Sequence, residues 1–518
     1  MNNVSTKLME TRLINYKLPE GWSTTVLDKV GHWSTGGTPS RKVTKYFGGG
    51  IPWVKSGDLN DGRVKITEET ITREGIESSA AKIVPAGAVI IALYGATIGK
   101  LGMLEIDAAT NQACANCEVI GEIIDRWFLF YYLLYQRRAL IETGQGGAQP
   151  NLNNRIIRNW PLLLPPLVEQ KRIVAKAEEL LERVNATEKR LARVSMIIKR
   201  FRQSVLASVC SGHLTADWRE KTLHVESAME LLNRVRNERK RRYDEECVKA
   251  KVEKRKTPDK KFQIQFWNDE ETDKSWVKAK LENLIYIAGR IGWRGLKAEE
   301  YTLEGAILLS VYNLNNGEEV DFSNVNHISN ERYVESPEIV VKENDILMAK
   351  DGAGIGKIGI VINLPSEATV NSSLLVIRSL EAFVPKYLFY FLSGPKLQNI
   401  AKERISGSAT PHLFQKDIKQ FVLSVPPLLE QQEIVRRVEA LFKLADIIEK
   451  RVAAASLRAE KLTQSILSKS FRGELVTTEA KLARREGRSY ETASELLARI
   501  NSERDAKQTS QKARRNRN

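Results

Sequence analysis

The chain has 518 residues, 42% hydrophobic and 28% charged, with a formal net charge of +16 and a pI near 9.5. That is room for about three or four globular domains, and the positive balance points to a polyanion, nucleic acid first. No run of about 18 apolar residues offers a membrane span, the N-terminus is no signal peptide, and the four cysteines suit a reducing cytoplasm.

Residues 1–17 are polar and read as a short helix or a loose arm. Residues 18–164 form a first globular domain. Its apolar runs are short and strand-like, with turns at Gly36-Gly37, Gly48 to Gly50 and Asn60-Asp61-Gly62, and one helix is expected from Arg126 to Glu142. A long helix follows over 165–210. The region 211–274 is a connector: a turn at Ser211-Gly212, a basic helix from Glu226 to about Lys256, and a polar linker. Residues 275–425 form a second globular domain, 426–470 a second long helix, and 471–518 a helical, basic tail whose end, from Gln508, reads as disordered.

The second half repeats the first. At a constant offset of 261, residues 165–214 and 426–475 agree at 19 of 50 positions, which marks an internal duplication. The globular domains share anchors with drifting alignment. Trp276 stands for Trp22, Asn313-Leu314 for Asp58-Leu59, Gly354 to Lys357 for Thr97 to Lys100, and Pro411-His412-Leu413 for Pro150-Asn151-Leu152. Between these anchors the copies diverge. Framework is shared; loops are not.

Each long helix carries a heptad seam. In the first, Ile173, Ala177, Leu180, Val184, Thr187, Leu191, Val194, Ile198, Phe201 and Val205 recur at alternating steps of four and three. Ile434, Val438, Leu441, Ala445, Ile448, Val452, Ala455, Ala459, Leu462 and Ile466 do so in the second. Such stripes favour a left-handed supercoil, here between the two copies, with helices about 50 Å long. The fold class is α+β: two similar domains separated by two long helices that form an antiparallel coiled coil, in a pseudo-twofold repeat.

Catalytic chemistry finds no support. Gly352 to Lys357 looks like a phosphate loop, but its glycines lack the four-residue gap, and Ile358 stands where a Ser or Thr would hold magnesium. Gly95 to Lys100 has Leu101 in the same place. Both read as tight turns between strands. Neither Pro-Pro pair is followed by the aromatic of an amino-methyltransferase tetrad, and five histidines are scattered along the chain. Cys114 and Cys117 lack a second pair for a zinc site and read as reduced thiols on a strand.

Binding remains. Thr38, Ser40, Arg41 and Lys42 combine hydroxyls and cations on a glycine-rich loop, the groups that position a protein on phosphates. Lys55, Asp58, Tyr94, Thr97, Lys100, Gln149, Asn151 and Asn153 add side chains that contact backbone or read base edges. Their counterparts in the second domain are Arg290, Arg294, Lys297, Tyr312, Asn313, Lys350, Asp351, Lys357 and His412. Any one of these alone also fits an ordinary polar loop.

Leu18 to Trp22, the Gly36 to Ser40 loop, Ile51 to Leu59, the Gly95 to Lys100 turn, Asn111 to Ala113, Gly146 to Leu152 and the doubled PPLxEQxxIV resemble, in this order, the specificity subunit of type I restriction–modification enzymes. The resemblance covers nearly the whole chain. It implies two target-recognition domains reading an asymmetric bipartite site on double-stranded DNA, with the coiled coil as a ruler between the half-sites. It also implies partners: two copies of an adenine methyltransferase subunit, which binds S-adenosylmethionine and the flipped adenine, and restriction subunits that use ATP and magnesium. The chain itself would hold no cofactor or metal, catalyse nothing, and work on DNA in a bacterial or archaeal cytoplasm. A coiled-coil scaffold that binds protein or RNA is the alternative, and a self-sufficient methyltransferase a further one.

Overall fold

The computed structural model describes residues 18–144, 151–222, 226–268, 275–290, 298–314, 317–406 and 412–503. The arm 1–17, the tail from Gln508, and Gln149, Arg294, Lys297 and Pro411 lie outside the described residues. The chain divides into two units, residues 1–191 with 454–518, and residues 192–453.

The first unit opens with β1 (Ser23–Val26), β2 (Gly31–Thr35), β3 (Phe47–Val54), β4 (Gly62–Val64) and β5 (Glu69–Ile71). After α1 (Arg73–Glu77) come β6 (Ile83–Val84), β7 (Val89–Ala92), β8 (Leu101–Leu104), β9 (Ala108–Thr110) and β10 (Cys114–Val119). Then follow α2 (Arg126–Thr143), α3 (Asn154–Arg158), β11 (Pro161–Leu164) and the long α4 (Leu167–Ser208). The sheets run β2-β10-β7-β8-β4, β5-β3-β9-β6 and β1-β11. Cys114 and Cys117 are buried on β10, and burial pushes the Cys114 thiol up to about 12, which keeps it protonated.

The second unit contains the end of α4, then α5 (Ala216–Lys221), α6 (Ala228–Val252), β12 (Phe266–Trp267), β13 (Val277–Lys280) and β14 (Ile285–Gly289). Next come β15 (Tyr301–Thr302), β16 (Ala306–Leu309), β17 (Asn326–Ile328), α7 (Asn330–Val334), β18 (Ile346–Ala349) and β19 (Ile358–Ile360). β20 (Ala368–Val370), β21 (Leu374–Ser379), α8 (Pro385–Ser393), α9 (Pro395–Ser406), α10 (Gln415–Lys419) and β22 (Val422–Val425) lead into α11 (Leu428–Phe471). Its sheets, β14-β21-β18-β19, β15-β17-β16-β20 and β12-β13-β22, repeat the plan of the first unit. Even the rare pairing is kept: β3 runs parallel to β9, and β16 parallel to β20.

The repeated Glu-Gln of the PPLxEQ motif joins each domain to its helix. Gln170, fully buried, donates to the carbonyls of Ile123 and Pro165 and accepts from the Asp125 amide. Gln431 does the same with Ala382, Pro426 and the Val384 amide. Glu169 accepts the Trp22 indole N–H, and Glu430 that of Trp276. The sequence motif is therefore a socket, and the Trp of each domain is its pin.

α4 and α11 pack antiparallel within each unit. In the first, Ile173, Ala177 and Val184 of α4 share a core with Ala459, Ile466 and Phe471 of α11. In the second, Val205 shares a core with Val438 and Phe442, and Arg202 bridges to Glu449 at 3.1 Å while lying over the Phe442 ring. Seam residues Ile173, Val184, Ile198 and Ile434 are buried, and Leu180, Leu191, Leu441, Ile448 and Val452 half-buried. Leu462 departs from the heptad reading: it is 55% exposed, and Thr463 is half-buried in its place. Past Ala459 the buried stripe of α11 widens to Ile466, Leu467, Ser470 and Phe471, because α11 there packs on the first domain as well as on α4, and Phe471 stacks on Tyr135. α4 and α11 are 42 and 44 residues long, about 63 and 66 Å rather than 50.

The charged helices beyond the coil also have a packing role. α6 starts with a capping box from Ser227 and Glu230 and buries Ala228, Leu231, Leu232 and Val235 in the second unit's core. The Ala228 amide bonds Ser275 O beside Trp276. After α11, α12 (Glu479–Glu486) leads to a helix over 493–503, which buries Ala493, Leu496 and Ile500 in the first unit's core, its Ala493 amide on Gly21 O beside Trp22. Each helix follows one arm of the coil and packs on the domain that feeds the other arm.

Candidate nucleic-acid interface

One rim of the first domain is built by main-chain hydrogen bonds between loops distant in sequence. Leu152 N bonds Leu93 O at 2.8 Å, Leu93 N bonds Ala113 O at 2.7 Å, Asn111 N bonds Val54 O at 2.9 Å, and Gly37 N bonds Thr110 O at 2.9 Å. These bonds bring the loops around 36–41, 55–58, 94–100, 111–113 and 151–153 together. Gly36 is required there, since a Cβ would overlap the carbonyl oxygens of Thr110 and Asn111.

The second domain repeats three of these four bonds. Leu413 N bonds Lys350 O, Lys350 N bonds Ser373 O, and Asn371 N bonds Leu309 O, each at 2.9 Å. Its Gly352 to Lys357 turn closes on Ala349 as the Gly95 to Lys100 turn closes on Ala92. A lone β-bridge joins Asp351 to His412 where another joins Tyr94 to Asn151. The side chains on this shared frame differ. Lys55 follows Val54 in the first domain, and Ser310 follows Leu309 in the second.

The rim gathers many of the sequence-derived residues and reassigns others. Ser40, Arg41, Lys42 and Asn151 are exposed, and Thr38, Tyr94 and Thr97 half-buried, with the Thr38 hydroxyl on Gln112 Oε1. Lys55 bonds Glu68 and Glu69, each at 2.9 Å, and these carboxylates raise its pKa. Lys100 lies 3.3 Å from Asp61, which Arg137 also binds while donating to Gly99 O at 2.8 Å. In the second domain Tyr312 is 62% exposed and Lys357 exposed. Asp351 accepts from both Lys350 and the His412 ring, and that ring lies edge-on to Phe414 with centroids 4.4 Å apart.

Four residues serve the frame instead. Asp58 accepts the Lys55 amide at 2.7 Å, and Asn313 accepts that of Ser310 at 2.9 Å, so the pair is equivalent as a turn brace. Asn313 is 3% exposed and donates its amide to the carbonyls of Asp321 and Asn324, which leaves nothing for a base. Asn153 caps α3 through the Ile156 amide. Arg290 is 4% exposed and donates to Val370 O at 3.1 Å; burial, then Arg332, lowers its pKa.

Sequence reasoning missed Glu68, Glu69, Asp61 and Arg137, the charges that orient the cations of the first rim. Only the pairing of β3 with β5, which sets Trp53 opposite Glu69, reveals the first two.

Residues 19–195 and 250–455 match the type I restriction modification DNA specificity domain. The chain belongs to this family. Among relatives, the EcoBI specificity subunit of Escherichia coli is 32% identical over 371 residues, 71% of this chain and 69% of that protein. The EcoKI specificity subunit of Escherichia coli strain K12 is 27% identical over 489 residues, 89% of this chain and 90% of that protein. A chain from a structural study of complex assembly and conformational transition in the type I R-M system superposes with a TM-score of 0.63 at 19% identity. It covers 89% of this chain and 100% of that one, and shows the same fold. The α+β plan, the doubled domains and the antiparallel long helices are thus those of a type I specificity protein, and no described helix is long and apolar enough to cross a membrane.

Proposed function

We propose that this chain is the DNA-reading subunit of a type I restriction–modification enzyme, each globular domain recognising one half of an asymmetric bipartite site. One observation carries this reading: the same main-chain rim is built twice and dressed with different side chains. A frame held by backbone bonds fixes where contacts are made, and the variable side chains fix which bases they prefer. Residues 18–164 and 275–425 act as the two reading domains, and the long helices 165–210 and 426–470 set their spacing.

The chain contributes recognition and no catalysis of its own. A partner methyltransferase, in two copies, modifies adenine, and a restriction subunit acts at the DNA this chain selects, in the cytoplasm. Exposed Ser40, Lys42 and Lys357 supply part of the phosphate attraction, so affinity falls steeply with salt.

The test is a map of N6-methyladenine in source cells with and without the gene. Loss of one bipartite motif on deletion supports the role; an unchanged map in cells that express the protein overturns it. Replacing residues 18–164 by the same domain of a relative is expected to change one half-site and leave the other intact.

A further inference from the structure

We propose that Arg41, held by Glu69, reads a guanine edge in the first half-site, an inference that rests on the DNA-reading role above. The Arg41 guanidinium meets Glu69 end-on: Nη1 donates to Oε2 at 2.7 Å and Nη2 to Oε1 at 3.2 Å. Its flat face is held as well, with Cζ 4.6 Å from the Phe47 ring centre and 5.1 Å from that of Trp53. Trp53 is itself fixed, 1% exposed and donating its indole N–H to Gly37 O at 3.2 Å. Plane and rotation of the guanidinium are both set.

An end-on pair uses the inner hydrogens of the two Nη atoms. The second fork, Nε–H with the outer Nη2–H, is left over, and no other hydrogen bond to Arg41 is made among the described residues. The side chain is 55% exposed. Such a fork matches the O6 and N7 acceptors of guanine in the major groove.

A phosphate is the weaker fit. Arg41 and Lys55 are balanced by Glu68 and Glu69, so the cluster carries no net charge. A neutral cluster adds little attraction for an anion, whereas a directional fork keeps its full value toward a base. Glu69 is then a positioning residue, and Arg41 the contacting one.

The experiment uses the full chain expressed with its methyltransferase partner, with the methylated motif mapped for wild type, Arg41→Ala, Arg41→Lys and Glu69→Gln. Wild type is expected to specify a guanine in the half-site read by residues 18–164. Arg41→Ala and Arg41→Lys are expected to lower discrimination at that one base pair by about tenfold to a hundredfold, with Arg41→Lys retaining the charge but not the fork. Glu69→Gln is expected to relax the same base pair by a smaller factor, and no other. The untouched second half-site reports that each variant has folded and assembled.

Uniform weakening at every position, with all bases of the motif retained, would assign Arg41 to phosphate and overturn the proposal. So would a first half-site without guanine on either strand. Absence of any methylated bipartite motif for wild type would instead overturn the DNA-reading role, and this inference with it.

Discussion

Trp22 donates its indole N–H at 2.9 Å to Glu169, a carboxylate 147 residues away at the start of α4. The other oxygen of Glu169 accepts the Glu479 amide at 2.7 Å, so one buried group ties a domain, its own helix and the segment after α11. Burial raises the Glu169 pKa while these donors oppose the rise. Replacing Glu169 by Ala leaves two buried donors unpaired, with an expected loss of about 3 kcal/mol. Trp22→Phe removes one donor and is expected to cost about 1–2 kcal/mol. Urea unfolding followed by fluorescence checks both; stability equal to wild type for Glu169→Ala would refute the socket.

Gly36 has no room for a side chain against Thr110 and Asn111. Gly36→Ala is therefore expected to displace the 36–41 loop and abolish recognition of the first half-site. Recognition of the second half, measured by binding to a duplex carrying only that half, is expected to persist. A variant with both halves intact would separate this loop from the interface.

Glu433 of α11 receives Arg436 Nε at 2.7 Å and Arg437 Nε at 2.6 Å, and Arg437 reaches on to Asp217 at 2.5 Å. Arg436 first, and then Arg437, hold its pKa at about 2 against an ordinary 4.5. A depressed carboxylate stabilises the fold above its unfolded value and loses that contribution as pH falls toward the folded one. The melting temperature of wild type is thus expected to exceed that of Glu433→Gln at pH 6, with the gap closing between pH 4.5 and pH 2. A gap independent of pH would remove the ion pair as its cause.

If the paired helices are the ruler, their length sets the spacer. Seven residues added to each arm, after Leu191 and after Val452, keep both seams in register and add about 10 Å. At 3.4 Å per base pair that is about three base pairs of extra spacer. A methylated motif with the original spacer would refute the ruler.

Sequence pattern revealed the features that depend on repetition. Heptads, the doubled PPLxEQ, and the Trp22 and Trp276 pins recur at fixed spacing because the same packing problem is solved twice. Side-chain roles on the rim were less legible. Asn151 and Asn153 are the same residue two positions apart, yet one is exposed at a bridge and the other caps a helix. Asn313 has the right chemistry for adenine and spends it on two carbonyls. Glu69 lies 28 residues from Arg41, a distance that only strand pairing closes. Leu462 departs from the heptad because α11 there packs on a domain as well as on α4, and a heptad pattern reports only the helix–helix contact.

The side chains of Gln170 and Gln431 bond nothing but main chain. A joint of that kind is blind to the residues it grips. A new domain needs only an indole and a few carbonyls in the right place to seat on an old helix, whatever its loops say. Selection can then rewrite one half of the recognised word while the other half, the spacing and the assembly stay as they were.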